Sequence, residues 1–363
     1  LSFKKILIIN TYGIGDVLFT TPLIRNLRLA FPGAQIAYLA NARTADLIEA
    51  NQDIAQVFVY ERDEFAAAYR RNPIVFFQKA LALFNRIKGE SFDAVFDFSL
   101  NSSFGFLSAA CGIKKRIGFD YRKRGAYLTD RIPLSGFEDK HVVEYYLDLL
   151  RRVDVPIATR QMKLDIPPED IRWAAEWLKG QKIDPARPLI AVLPGGGASW
   201  GKAAGHKRWP APNYAHLIDK IVENLDAAII LMGDSKEEEL CREVANLARH
   251  PLHYAVGQTS LLGLAALLKH CRGAVLNDGG PLHVAAAVGV RTVSIFGPVD
   301  PQVYGPYPPA NHTVLQKRLS CQPCYRRFRM ADCSHLSCLM GLSVEDVYGQ
   351  IDHFLSEVQD RKV

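Results

Sequence analysis

The chain has 363 residues, 48% of them hydrophobic and 23% charged, and a formal net charge of +6. This length suits two domains that each bury a core, and the composition excludes disordered, fibrous and low-complexity classes. The apolar run Ile6–Ile9 is too short for a secretory signal and no stretch reaches the roughly 20 apolar residues of a membrane helix, so a cytoplasmic protein is expected.

Lys4–Asn10 is a continuous, β-branched-rich run, the pattern of a parallel strand covered on both faces. The loop Thr11–Asp16 follows, with Gly13 and Gly15, and then apolar positions recur at helical spacing over Val17–Arg28, where Pro22 is predicted to kink the helix. The order is strand, glycine turn, helix, without the third glycine of a dinucleotide fingerprint. Further strands are predicted at Gln35–Leu39, Val57–Tyr60, Ala94–Phe98 and Arg116–Gly118 with helices between them, and this alternation points to a doubly wound parallel α/β sheet. One helix, Val75–Lys88, carries aromatic and basic residues that would suit a membrane surface; packing on the sheet is the ordinary use of such a segment. His141–Val153 reads as another helix, and the proline- and charge-rich Asp154–Asp184 as the joint between domains.

The second half repeats this logic. Pro188–Leu193 reads as a buried strand, followed by the glycine turn Pro194–Trp200, a helix at Pro212–Glu223, a strand at Ala227–Met232 and the turn Gly233–Glu237. Helices at Glu238–Ala248 and Ser260–His270 flank a short strand at His253–Val256, and the strand Gly273–Leu276 leads into Asn277–His283. In that stretch Asp278 is expected to cap a helix, Gly279 and Gly280 to let a ligand approach the backbone, and Pro281 to occupy the first turn. A helix N-terminus at the end of a parallel strand favours an anion through its N–H groups and its dipole. Ligands of such sheets bind beyond the carboxyl ends of the strands, and two facing α/β domains would enclose a cleft.

Basic residues are unevenly spread. Lys114, Lys115, Arg116, Arg122, Lys123 and Arg124 form one group and Lys317, Arg318, Arg326, Arg327 and Arg329 another, and each suits either an anionic partner or a solvated face. Cys321, Cys324, Cys333 and Cys338, with His335 among them, have a spacing that would allow a structural zinc. Disulfides are disfavoured in a reducing compartment, and Cys111, Cys241 and Cys271 read as core thiols.

Four motifs, in their order and separation, carry a resemblance: Gly13–Asp16 with Thr21-Pro22 and Leu27-Arg28, Leu193–Gly197 with Lys207–Pro210, Met232–Ser235, and Asn277–His283 with Phe296–Pro298. Over nearly its full length the chain resembles the bacterial lipopolysaccharide heptosyltransferases, glycosyltransferase family nine. The resemblance implies two Rossmann-like domains in the GT-B architecture, with acceptor on residues 1–165 and nucleotide sugar on 185–340. A last helix, 344–358, would pack back on the first domain. It also implies inverting transfer of a heptose from ADP-heptose to Kdo-lipid A or heptosyl-Kdo-lipid A, with no metal or other cofactor required. Such an enzyme would work in the cytoplasm, in peripheral contact with the inner membrane leaflet, with no nucleic-acid partner.

The same resemblance assigns roles. Asp16, beside Gly15 at the acceptor, matches the general base, the alternative being a plain helix cap. Lys207 matches the lysine on the leaving diphosphate, the alternative being a solvated lysine. Ser199, Asp278, Gly279 and Gly280 would cradle the phosphates; His283 would either join them or satisfy a buried backbone group. Ser235 falls near the ribose, where many relatives carry a glutamate. Lys114, Arg116, Arg122, Lys123 and Arg124 would meet the acceptor's phosphates. Relatives often carry a cysteine-rich segment without a known metal requirement, so no metal is expected here. A transferase using another nucleotide sugar is the near alternative; an oxidoreductase or epimerase would need the missing fingerprint.

Overall fold

A computed structural model describes residues 2–196 and 198–359. The chain forms two compact units, Leu1–Asp165 and Ile166–Val363. Each is built on one six-stranded, wholly parallel sheet. The first contains β1 (Lys5–Ile9), β2 (Gln35–Ala40), β3 (Gln56–Val59), β4 (Ala94–Asp97), β5 (Lys115–Tyr121) and β6 (Asp130–Leu134), in the order β3-β2-β1-β4-β5-β6. The second contains β7 (Leu189–Leu193), β8 (Ala228–Leu231), β9 (His253–Tyr254), β10 (Gly273–Asn277), β11 (Thr292–Phe296) and β12 (His312–Gln316), in the order β12-β11-β10-β7-β8-β9. Numbered within each unit, both orders are 3-2-1-4-5-6, the doubly wound Rossmann arrangement.

The inner strands are the apolar runs of the sequence. Ile6–Ile9 are buried, in register with Ile36–Leu39 on one side and Ala94–Asp97 on the other. The sixth strand of each sheet was not visible in the sequence, for one reason. β6 carries Asp130, Arg131 and Pro133, and every residue of β12 is only half-buried. An edge strand is covered on fewer sides, so it needs no apolar run and tolerates proline.

The helix predicted over Val17–Arg28 is two helices, Ile14–Phe19 and Thr21–Ala30. Thr20 and Thr21 turn their hydroxyls back to the carbonyls of Val17 (2.6 Å) and Leu18 (2.7 Å). Pro22 therefore lies in the first turn of the second helix, where its missing N–H has no partner to lose, and does not kink a continuous one.

The boundary between the units, Asp165/Ile166, falls inside the segment predicted as a joint, which also carries an unpredicted helix. Asp154–Asp184 holds the helix Pro168–Gly180, which packs in the second unit on the helix Leu261–Leu268. The last helix, Val344–Gln359, was expected on the first domain. Its described turns bury Val347 and Ile351 in the second unit's core, against the helix Ala211–Leu225, and Lys220 Nζ reaches Glu345 at 2.9 Å; the side chains of residues 354–359 lie outside those described. The i, i+4 spacing of those two side chains makes one apolar stripe, and that core receives it. Among the described residues no helix is long and apolar enough to cross a membrane.

Candidate active site

In each unit the chemistry-bearing residues collect where the strand order reverses, at the carboxyl ends of β1 and β4 and of β7 and β10. In the first unit β1 is followed by Asn10, whose side chain accepts from Tyr12 N (3.1 Å) and donates to Asp16 O (3.0 Å). Asn41, just beyond β2, donates to the carbonyls of Thr11 and Tyr12, and Tyr12 OH donates to Ser99 O at 2.5 Å. The loop that carries Gly15 and Asp16 is thus stapled to three strands. Asp16 sits half-buried in the first turn of Ile14–Phe19, whose cap position is Gly13, so the plain-cap role does not fall to it. Its charge acts on the buried Tyr38 hydroxyl, which burial pushes up and the nearby carboxylate raises further.

Asp97, at the end of β4 beside the same switch point, is a buried acid that sequence reasoning passed over, because it lies inside an apolar run. It is buried, accepts from Ser99 N at 2.8 Å, and burial pushes its carboxyl up to about 6. Its signal, a lone acid at the end of a parallel strand, is faint.

The structure splits the basic group. Lys114 and Arg116 lie at the start of β5 and Arg122–Arg124 just beyond its end, about 20 Å apart along seven residues. Only the second set shares an edge with Asp16. Arg116 donates to the carbonyls of Tyr127 (2.5 Å) and Ile113 (2.5 Å), and Lys115 pairs with Asp130 at 2.9 Å. Arg116 holds backbone, and both Lys114 and Arg116 sit at the opposite edge, so the fold groups only Arg122–Arg124 with Asp16. Arg122 and Lys123 turn the chain in left-handed conformations, and Arg122 stacks on Tyr121 at 5.0 Å.

In the second unit two glycine turns are bolted together by side chains. Asn277, ending β10, donates to Pro194 O (2.7 Å) and Gly195 O (2.9 Å) and accepts from Trp209 N (3.1 Å). Glu237 is buried and accepts from Gly196 N (2.7 Å) and Asp234 N (3.1 Å), joining the turn after β7 to the turn after β8. Gly195 is required here because a Cβ would lie 2.1 Å from the Glu237 carboxylate, and Gly196 because its φ is +123°. Arg208 completes the joint through Gly196 O (3.1 Å) and Glu237 (3.6 Å).

Lys207 is not a solvated lysine. Its Nζ lies 2.7 Å from Asp278 Oδ2 and 4.2 Å from the Trp200 ring centre, with the two charged side chains 10% and 4% exposed. Asp278 was expected to cap the following helix; the cap position falls instead on Gly279, which has no side chain to cap with, and the Asp278 carboxylate faces Lys207. Gly280 opens the helix Gly280–Ala287, and His283 is buried within it. Ser235 is exposed in the turn after β8. The side chain of Ser199 and all of Gly197 lie outside the described residues.

The cysteine-rich segment frames this site. Cys324 N and Tyr325 N donate to Pro298 O (2.8 and 3.1 Å), and Tyr325 stacks on Trp200 at 5.1 Å. Burial, then the neighbouring Cys321, raises the Cys324 thiol to about 11. Cys321 is exposed while Cys338 is buried in the core, and among the described residues no group of three or more His, Cys, Asp or Glu side chains is placed to hold a metal. The zinc reading gains nothing from this placement.

Two 3-2-1-4-5-6 units with their polar residues at the switch points make the GT-B fold of nucleotide-sugar glycosyltransferases. The profile of glycosyltransferase family 9 (heptosyltransferase) matches residues 80–335, and the chain belongs to that family. It is 26% identical to lipopolysaccharide heptosyltransferase 2 of Salmonella typhimurium over 97% of this chain and 99% of the relative. Among solved structures it is similar to a family 9 glycosyltransferase from Veillonella parvula, with TM-score 0.81 and 22% identity over 98% of each chain. A similar likeness holds to an E. coli heptosyltransferase with ADP, with TM-score 0.73 and 19% identity over 96% of this chain and 99% of that one.

Proposed function

We propose that this glycosyltransferase moves a heptose from ADP-heptose onto the phosphorylated Kdo-lipid A region of a lipopolysaccharide inner core, with inversion at the anomeric carbon. Its second unit takes the donor and its first unit the acceptor. The observation that carries this reading is the buried Lys207–Asp278 pair in a frame of bolted glycine turns at the β7–β10 switch point.

The Asp16 carboxylate takes the proton of the acceptor hydroxyl as its oxygen bonds to the anomeric carbon. The bond from that carbon to the diphosphate oxygen breaks, and ADP leaves with the electron pair. An ordinary carboxylate is a weak base, so the proton moves late, when attack has made the hydroxyl acidic. Lys207 supplies positive charge where the leaving diphosphate gains negative charge, and the amides of Gly279 and Gly280, with His283, hold its oxygens. Ser235 meets the ribose, and Arg122, Lys123 and Arg124 meet acceptor phosphates.

Thermal shift with ADP, UDP, GDP, CMP and NAD tests the donor first, because a ligand of the folded state raises the melting temperature by mass action. Selective stabilisation by ADP, followed by ADP release from ADP-heptose in the presence of Kdo-lipid A, is expected. Preference for another nucleoside diphosphate would change the donor, and a response to NAD alone would end the transferase reading.

A further inference from the structure

We propose that the end of the helical hairpin formed by Arg62–Arg71 and Pro73–Glu90 is a docking surface for an anionic lipid bilayer. The longer helix has two apolar faces. Leu83 and Ile87 are buried in the first unit's core, the use the sequence predicts. Ile74 is 67% exposed, Phe77 65% and Leu81 43%, along one stripe at i, i+3 and i+7. Tyr69, 64% exposed and packed on Phe76 with ring centres 5.4 Å apart, extends the patch onto the shorter helix. A helix face that serves only as a solvated surface carries polar residues at such positions.

Charge selects the partner. From Phe65 to Gly89 there is no Asp or Glu, while Arg70, Arg71, Lys79, Arg86 and Lys88 are basic. Lys79 reaches Glu64 at 3.1 Å, and Arg86 and Lys88 lie over the rings of Phe58 and Phe84. Arg70 and Arg71, exposed at the hairpin end next to Ile74, have no carboxylate partner among the described residues. Apolar side chains flanked by guanidinium groups match the boundary between acyl chains and anionic headgroups.

Position supports the same partner. A crossover helix runs antiparallel to its strands, and Pro73–Glu90 leads into the amino end of β4. The hairpin end therefore lies at the carboxyl edge of the sheet, the edge that carries Asp16 and Arg122–Arg124. The helix is about 27 Å long and a five-residue strand about 17 Å, so its first turns, with Ile74 and Phe77, project beyond that edge. A bilayer there would present a lipid acceptor to the Asp16 edge. That benefit rests on the proposed acceptor; the docking itself does not.

Co-sedimentation of the full chain with vesicles of phosphatidylcholine, alone or mixed with phosphatidylglycerol, and free of any glycolipid acceptor, tests this. Wild-type protein should pellet with the anionic vesicles and be released by salt. Arg70→Ala with Arg71→Ala should lower partition about 30-fold, at about 1 kcal/mol for each basic residue. Ile74→Ser with Phe77→Ser should lower it at least about tenfold. Both double variants should melt, and respond to ADP, as the wild type does. Equal binding to neutral vesicles, unchanged partition of both variants, or lipid-free self-association abolished by Ile74→Ser with Phe77→Ser would each overturn the proposal. Vesicle binding without an ADP response would leave the docking standing and remove the donor reading; the reverse pattern would do the opposite.

Discussion

Lys207 Nζ and Asp278 Oδ2 stand 2.7 Å apart, one from the segment after β7 and the other from the end of β10, and both are buried. A buried pair of this kind is strongly coupled, because removing either member leaves the other charge desolvated. Lys207→Gln and Asp278→Asn should each lower stability by about 3–5 kcal/mol, and the double variant by clearly less than their sum. Chemical denaturation of the four proteins measures the cycle. The double variant should regain stability but not turnover, since in the proposed reaction Lys207→Gln also removes the charge that offsets the leaving diphosphate, at a cost of about 10²–10³ in kcat. Additive losses would show that the pair does not form in solution.

Asp16→Asn keeps the size of the side chain and removes its basicity. Turnover should fall by about 10²–10⁴, while the ADP-induced shift in melting temperature stays at the wild-type value. Turnover within a fewfold of wild type would move the proton to another group.

Gly195→Ala drives a methyl to 2.1 Å from the Glu237 carboxylate, which holds Gly196 N and Asp234 N. Either the carboxylate or the turn must move, and overpacking of this kind costs about 1–3 kcal/mol. Calorimetry should show weaker ADP binding, and kinetics a rise in donor KM. Unaltered binding would mean that the two turns are not coupled through Glu237.

Asp97 gives a pH signature. Its folded-state carboxyl is raised by burial to about 6 from an ordinary value of 3.8. The folded protein therefore holds the proton more tightly than the unfolded one, and its contribution to stability, complete below about pH 4, is lost as pH rises through about 6. Asp97→Asn keeps an acceptor for Ser99 N and carries no charge. It should be more stable than wild type by up to about 3 kcal/mol at neutral pH and by about half that at pH 5. Denaturant midpoints at the two pH values decide it; a difference that does not shrink toward acid would locate the titrating group elsewhere.

In the proposed reaction Lys207 and the amides at Gly279 and Gly280 neutralise the leaving diphosphate, which leaves no step for a divalent ion. Transfer from ADP-heptose should proceed at the same rate with EDTA as without. Loss of turnover restored by a divalent cation would contradict this.

The sequence alone was sufficient for the features that short-range rules specify. Short, β-branched apolar runs such as Ile6–Ile9 read as strands covered on both faces, and their alternation with helices points to a parallel sheet. The glycine turns and Asp278 were marked by residue type and spacing, whereas Asp16 and Lys207 were singled out only by the family resemblance. The edge strands β6 and β12 were not legible, since an edge strand tolerates the charges and proline that β6 carries and the half-covered residues of β12. The helix Pro168–Gly180 was hidden among prolines that begin it rather than break it.

Tertiary structure decided the partners. Asp278 could have capped its own helix, and it pairs with Lys207 because the fold buries both charges together. Glu237 and Asn277 became bolts between turns only once β7, β8 and β10 lay side by side. Arg116 and Arg122, six positions apart in a basic run, were sent to opposite ends of one strand. Local pattern records whether a side chain is covered, but a hydrogen bond or ion pair between distant segments exists only when the chain has closed, so its two members carry no joint signal beforehand.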